Sequence, residues 1–247
     1  QIGSRTKETT ACGAAGETAI GRCAKQLSSG KRAFQYMVGE GGTGVRDLDS
    51  SNLDSFEKMF YRAKAFDQNL SGWNTAAVTT IAQMFQEAKK FTNGGDSGIG
   101  NWDTRKVTKM NGAFDRALSF NHDLSGWDTS EVTDMSSMFY GASSFNGSVS
   151  SWNTSKAINM RAIFQSAVAF NRDLSHFDVA LVTDMSNMFK SASVFNQDIS
   201  AWTTVRVINM TSMFESAKVF NRDLSAWNVL EISTEPSYFS ESATKWT

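Results

Sequence analysis

The chain contains very few prolines, cysteines and histidines. Its 247 residues include one proline, two cysteines and two histidines, beside 18 phenylalanines, 11 methionines and 7 tryptophans. Lysine and arginine total 24 against 25 aspartates and glutamates, which excludes a strongly basic nucleic-acid binder. No run approaches the roughly 20 apolar residues that a membrane-spanning helix needs. We therefore expect no nucleic-acid partner and no transmembrane segment, and attachment to a membrane complex stays open.

A repeat of 25 residues accounts for the unusual composition. Phe177 fills one tryptophan position, and one interval is lengthened by four residues in the Gly-rich segment 93–98, where we expect a loop. The tryptophan row consists of Trp73, Trp102, Trp127, Trp152, Trp202 and Trp227. One phenylalanine row consists of Phe66, Phe91, Phe120, Phe145, Phe170, Phe195 and Phe220. The other consists of Phe60, Phe85, Phe114, Phe139, Phe164, Phe189, Phe214 and Phe239.

The spacing within a repeat predicts a strand followed by a helix. Leu124, Trp127 and Thr129 follow leucine-rich-repeat spacing, in which the last two face one side of a short strand. Apolar residues within 132–142 then recur at steps of three and four, as on one face of a helix. The predicted fold is an α/β solenoid: a leucine-rich-repeat-like, right-handed stack of about eight strand–helix coils with a concave parallel sheet.

Two runs carry a resemblance to a known family. Residues 120–130 read FNHDLSGWDTS, and residues 132–139 read VTDMSSMF. They resemble the BspA-like repeats of bacterial surface proteins, a family similar to leucine-rich repeats. The resemblance spans about 45–239 and implies a binding or adhesive role without an assigned ligand. We expect residues 1–44 to form an N-terminal capping or docking segment and residues 240–247 to form a C-terminal tail.

The aromatic rows and an asparagine row are predicted to be structural. Tryptophans in a row could stack on sugars or bases, but a residue in a leucine position of every coil packs inside. Asparagines at equivalent positions can bond the backbone of the next coil. That row consists of Asp67, Thr92, Asn121, Asn146, Asn171, Asn196 and Asn221.

The position between tryptophan and threonine in each predicted strand should face outward, onto the concave face. Small polar side chains there, on strands about 4.8 Å apart, suit hydrogen bonds to a peptide or a glycan. The predicted ligand-binding residues are Asn74, Asp103, Asp128, Asn153, Asp178, Thr203 and Asn228, with Arg105 from the next outward position. A merely solvated strand face is the alternative.

Neither a metal site nor a catalytic centre is predicted. A hard cation needs about six to eight oxygens from a compact loop, whereas these aspartates occur once per coil and suit turns. This second row consists of Asp123, Asp173, Asp198 and Asp223, and Ser148 interrupts it; Asp134 or Thr133 would cap the predicted helix. His122 and His176 occupy different repeat positions, with no nucleophile set against either by a recognised motif. We expect no enzyme and no cofactor.

Cys12 and Cys23 both precede the repeats. A disulfide between them would suit an oxidising compartment, and two free thiols would suit a cytosolic or plastid protein. Their spacing alone does not separate these alternatives.

Repetition favours a non-enzymatic binding module, because an elongated surface offers many equivalent contacts to one extended partner. We expect a protein or glycan partner in surface recognition or adhesion, and a secreted or cell-surface location. The alternative is a structural linker or scaffold subunit of a larger complex, in an organelle or inside the cell. Ice or mineral binding ranks last, because the regular threonine row is predicted to face inward.

Overall fold

A computed structural model describes residues 45–46 and 49–243. The predicted N-terminal segment with Cys12 and Cys23, and the last four residues of the chain, lie outside the described residues. The described chain is a stack of successive repeats in which equivalent residues are neighbours. Isolated parallel bridges join Ser55, Thr80, Lys109, Asp134, Asn159, Asp184 and Asn209, in that order.

The predicted α/β solenoid with a concave parallel sheet is wrong. Within the described residues the bridges stay isolated and form no strand, and the helices with defined bounds are two 3-10 helices, Asn93–Gly95 and Ser97–Asn101. Residues 127–129, predicted as strand, have no ladder partners, and 132–142, predicted as helix, contains a bridge at Asp134 followed by turns. The predicted ligand-binding row therefore does not lie on a sheet.

Each repeat is a series of tight turns. In one repeat, the N–H of Met138 donates to the carbonyl of Met135 (3.2 Å) and that of Ala142 to the carbonyl of Phe139 (3.0 Å). The N–H of Phe139 instead donates to Ile163 in the next repeat, at 2.9 Å. An α-helix would return each of these N–H groups to a carbonyl four residues earlier. The alternation between internal and inter-repeat bonds replaces the predicted helix.

The turns hold two positions of every repeat in the left-handed region of φ. These positions are four residues apart, and their φ values lie between 53° and 63°. The pairs run from Lys58 and Arg62 in the first described repeat to Tyr238 and Ser242 in the last. Glycine occupies few of them, so most carry the steric cost of a side chain in this conformation. The bonds between repeats must offset that cost.

Stacked aromatic rings fill the core, as the sequence predicts. Successive rings of the row from Phe60 to Phe214 are 5.4–5.9 Å apart and within 14° of parallel. Packed helices lie about 8–10 Å apart, so a helix in every repeat could not keep the rings at this step. Backbones joined by main-chain hydrogen bonds lie about 4.8 Å apart, and this spacing is close enough to keep the rings stacked. Trp127 and Trp152 are 1% and 2% exposed, which confirms the core role of their row.

The last repeat is one residue out of step with the sequence pattern. The N–H of Phe189 donates to Met213, and in the following pair the N–H of Phe214 donates to Phe239. Phe239 therefore occupies the methionine position rather than the predicted phenylalanine position, and its ring meets that of Phe214 edge-on at 86°. The extra residue lies between Ile232, which still keeps the repeat spacing, and Ser237.

The left-handed position at Gly141 should resist a side chain. Its φ is 63°, and an added Cβ would lie 3.2 Å from Cγ of Arg116. We expect Gly141→Ala to lower the free energy of unfolding by about 1–2 kcal/mol in urea denaturation. Gly72→Ala is the matched control, because an added Cβ there meets nothing within 4 Å. Equal destabilisation by both substitutions would contradict the argument.

Candidate functional site

The predicted ligand-binding residues form one row, with one member in each repeat. All are exposed except Asp103, which is half-buried. Six members use their side-chain Oδ1 to accept the backbone N–H two residues later, at 2.9–3.2 Å. These six are Asn74, Asp103, Asp128, Asn153, Asp178 and Asn228. We call the row, with Thr203, the Asx row, because each of the six closes an Asx turn. The turn uses Oδ1 of the side chain. It does not use the other carboxylate oxygen of an aspartate or the amide nitrogen of an asparagine.

A buried threonine row fixes the backbone of the Asx row. Each of four threonine hydroxyls donates to the carbonyl of the Asx-row residue in the next repeat, at 2.7–2.9 Å. The pairs are Thr104 with Asp128, Thr129 with Asn153, Thr154 with Asp178, and Thr204 with Asn228. Val179 occupies the threonine position before Thr203 and has no hydroxyl to donate. Hydrogen bonds from the threonine row thus hold the backbone at four of the seven Asx-row positions.

Arg105 is bound to Asp103. Its Nε donates to Oδ1 at 2.9 Å and its Nη2 to Oδ2 at 2.7 Å, while the arginine side chain stays 73% exposed. The hydrogen bond from Arg105 lowers the pKa of Asp103, and bonds from the Ser130 side chain and backbone lower the pKa of Asp128. Both carboxyls are therefore ionised at neutral pH. The row presents negative charge and amides, with one guanidinium at Arg105.

The second aspartate row closes turns of its own, which confirms the predicted turn role. Asp123, Asp173, Asp198 and Asp223 each accept the N–H of the serine two residues later, at 2.8–3.0 Å. Hydrogen bonds from that serine lower the pKa of each carboxyl. Across 49–243, no three acidic, histidine or cysteine side chains gather to hold a metal ion.

The asparagine row forms the predicted ladder. The N–H of each asparagine from Asn146 to Asn221 donates to Oδ1 of the asparagine one repeat earlier, at 2.7–3.1 Å. At its start, the N–H of Thr92 donates to Asp67 at 2.7 Å. Asn93, in the inserted segment, is fully buried and accepts the N–H of Leu70 at 2.7 Å. The insertion is therefore anchored on the preceding repeat at its first residue.

His176 takes over a hydrogen bond that tryptophan makes elsewhere. The indole N–H of every tryptophan in the row donates to a main-chain carbonyl of the preceding repeat, at 2.9–3.2 Å. Phe177 has no such donor, and the equivalent carbonyl, of Val149, lies 3.1 Å from Nε2 of His176. His122 similarly places Nε2 at 2.6 Å from the carbonyl of Thr92. Both histidines therefore satisfy main-chain carbonyls.

A polar row that the sequence analysis missed follows the phenylalanines of 60–214. Its pairs lie one repeat apart: Nζ of Lys190 is 2.8 Å from Glu215, and Nε2 of Gln86 donates to Asp115 at 2.5 Å. One residue further along the chain than this row, Nε of Arg62 is 3.4 Å from Oε1 of Glu87. Opposite charges 25 residues apart are the sequence signal that could have shown this row.

Asp115 is the buried and incompletely hydrogen-bonded member of that row. Its side chain is 9% exposed, and neither its Oδ1 nor Oε1 of Gln86 has a hydrogen-bond partner within the described chain. Nη1 of Arg116 is 3.8 Å from that oxygen. Burial raises the pKa of Asp115 to about 6, against the attraction of Arg116.

Comparison with known proteins finds a family model and nothing further. Three stretches, 31–97, 95–177 and 148–246, match the model described as "Mycoplasma protein of unknown function, DUF285". The repeated match shows a repeat family, and its description names no activity, ligand or BspA-like member. No curated protein and no solved structure matches the chain. Among the described residues there is no helix of the length and apolarity that a membrane crossing requires.

Removing the imidazole of His176 should leave the carbonyl of Val149 without its donor. We expect His176→Ala to destabilise the fold by about 1–3 kcal/mol, because a buried acceptor loses its partner. Adding Phe177→Trp to that variant should restore most of the loss, since the indole supplies the donor used in other repeats. Denaturant unfolding of the single and double variants measures this coupling. Additive effects, with no rescue, would contradict the exchange.

Replacing Asp115 with asparagine should stabilise the protein above pH 6. The folded-state pKa of about 6 exceeds the ordinary 3.8, so the folded state binds more protons and stability falls as pH rises between these values. We expect Asp115→Asn to gain roughly 1–3 kcal/mol at pH 7.5 and nothing near pH 3.5. Unfolding of both proteins at the two pH values tests this. A pH-independent difference would refute it.

Proposed function

We propose that this chain, which belongs to the family described as Mycoplasma proteins of unknown function, DUF285, is a non-enzymatic binding module for an extended protein or glycan. The observation that supports the proposal is the Asx row: equivalent polar groups, exposed at one-repeat intervals on a hydrogen-bonded backbone. An extended partner could engage several of them at once, so that weak contacts add along its length.

The chemistry of the Asx row favours a partner that carries hydrogen-bond donors. Asp128 and Asp178 flank Asn153, so carboxylate and amide oxygens predominate in the middle of the row. Hydroxyls of a glycan, or amides and ammonium groups of a polypeptide, can donate to these oxygens. Charge-assisted bonds to carboxylates are worth more than neutral ones, about 1.5–3 kcal/mol each.

The biological setting follows from the sequence resemblance to BspA-like repeats. We propose surface recognition or adhesion at a secreted or cell-surface location. A scaffold subunit of a larger complex is the second candidate. It is favoured by the apolar exposure of the C-terminal repeat, where Leu230 is 86% exposed.

The test removes negative charge from the Asx row while keeping the Asx turns. The triple variant Asp103→Asn, Asp128→Asn and Asp178→Asn retains each Oδ1 acceptor, so the fold and melting temperature should stay unchanged. Wild-type protein is first screened on a glycan array and a peptide array. We expect the triple variant to bind the wild-type hits at least about tenfold more weakly.

A matched control distinguishes an effect at the Asx row from a general effect of losing negative charge. The variant Asp123→Asn, Asp198→Asn and Asp223→Asn removes the same charge from the second aspartate row, where each residue also closes a turn. It should bind like the wild type. Equal loss in both variants, no loss in the first, or no hit on either array would each reject the Asx row as the site.

A further inference from the structure

Gln86 and Asp115 meet across two consecutive repeats, and their contact leaves an oxygen of each side chain unused. Nε2 of Gln86 donates to Oδ2 of Asp115 at 2.5 Å. Oε1 of Gln86 and Oδ1 of Asp115 are buried, and neither has a hydrogen-bond partner within the described chain. Both of these oxygens only accept hydrogen bonds while Asp115 is ionised, so they cannot bond to each other in that state. Buried polar atoms are usually paired, and two unpaired atoms in one contact need an explanation.

The charged groups around Asp115 do not complete its hydrogen bonds. Nη1 of Arg116 is 3.8 Å from Oδ1, which is too long for a hydrogen bond. The guanidinium of Arg116 also lies 4.8 Å from the ring centre of Tyr140 in the next repeat. In the preceding repeat the carboxylate of Glu87 is 3.4 Å from Arg62. Burial raises the pKa of Asp115, and the negative charge of Glu87 raises it further.

A proton on Asp115 supplies the donor that this contact lacks. A protonated carboxyl has one O–H donor, so Oδ1 of Asp115 can donate to Oε1 of Gln86 while Oδ2 still accepts from Nε2. The acid and the amide then form a closed ring of two hydrogen bonds. A metal ion fits less well, because the described part of the chain contains no group of three acidic, histidine or cysteine side chains. Burial also favours the neutral form of the carboxyl.

A later pair in the same row makes this contact with opposite charges. Lys190 and Glu215 each follow a phenylalanine of the row 60–214, as Gln86 and Asp115 do. Nζ of Lys190 is 2.8 Å from Oε2 of Glu215, and these side chains are 30% and 23% exposed, against 9% for Asp115. The hydrogen bond from Lys190 lowers the pKa of Glu215. The row therefore has an ion pair where water reaches the side chains, and an amide where the carboxyl is buried.

We propose that Gln86 and Asp115 form a proton-dependent clasp between two repeats, closed by two hydrogen bonds when Asp115 is protonated and held by one when it is ionised. The clasp joins residues 29 apart rather than 25, because it encloses the inserted segment 93–98. Burial raises the pKa of Asp115 to about 6, above its ordinary value of 3.8. The stability that the clasp contributes is therefore fully present below pH 3.8 and is lost as pH rises through about 6. Acidification strengthens the junction around the insertion.

The first experiment follows the proton on Asp115 in the full chain, by carbon NMR of isotope-labelled aspartate carboxyls. The resonance of Asp115 is the one that is missing from the variant Asp115→Asn. We expect it to titrate with a midpoint near pH 6. Asp173 is the internal control, because hydrogen bonds from Ser175 lower its pKa. A midpoint for Asp115 at or below 3.8 would overturn the clasp, since the carboxyl would then be ionised whenever the amide is in contact with it.

The second experiment measures urea unfolding at about pH 4.5 and about pH 7.5. Gln86→Leu should lower the unfolding midpoint at the acidic pH, because the protonated carboxyl loses both of its partners. Gln86→Lys copies the pair of Lys190 and Glu215, so its stability should no longer fall between the two pH values. Lys190→Gln is the matched control and should keep the wild-type fall, because Glu215 remains in contact with water. An unchanged midpoint in Gln86→Leu, or equal pH dependence of Gln86→Lys and the wild type, would overturn the clasp.

Discussion

Main-chain hydrogen bonds between repeats are the constraint on which the rest of this structure depends. They hold equivalent residues at about the spacing of paired strands, and the phenylalanine rings of 60–214 follow at 5.4–5.9 Å. Each ring needs a parallel neighbour, which explains why phenylalanine recurs where leucine is usual. Proline is nearly absent because it would remove a donor from the pattern. The left-handed turns direct every second N–H away from its own repeat, so that it can donate to a carbonyl of the next repeat.

The same constraint creates a demand for hydrogen-bond partners inside every repeat. Carbonyls that the turns leave open are satisfied by side chains: the indole of Trp152 on Leu124, for example, and the hydroxyl of Thr129 on Asn153. His176 beside Phe177 shows that the requirement is a donor at that carbonyl, whichever residue provides it. A conspicuous polar side chain in this chain is therefore first a structural group. Only the atom left over after the turn is available to a partner.

The residue rows were predictable from the sequence, and the backbone between them was not. Burial of the Trp127 row and the ladder from Asn121 follow from period alone. Apolar steps of three and four suit a helix as well as two successive turns, and Ser137 or Ala162 gives no glycine signal for a left-handed φ. The register of Phe239 depends on one extra residue that the motif conceals. The Asx row was found as an exposed set, but on a sheet that these turns do not form.

The side of the stack offers a partner only the polar atoms that its turns do not use. Along the side, Asp128 and its equivalents have already used one oxygen to close a turn. Each contact with a partner is therefore weak, and binding depends on the number of contacts. A side of this kind accepts any partner with donors along its length.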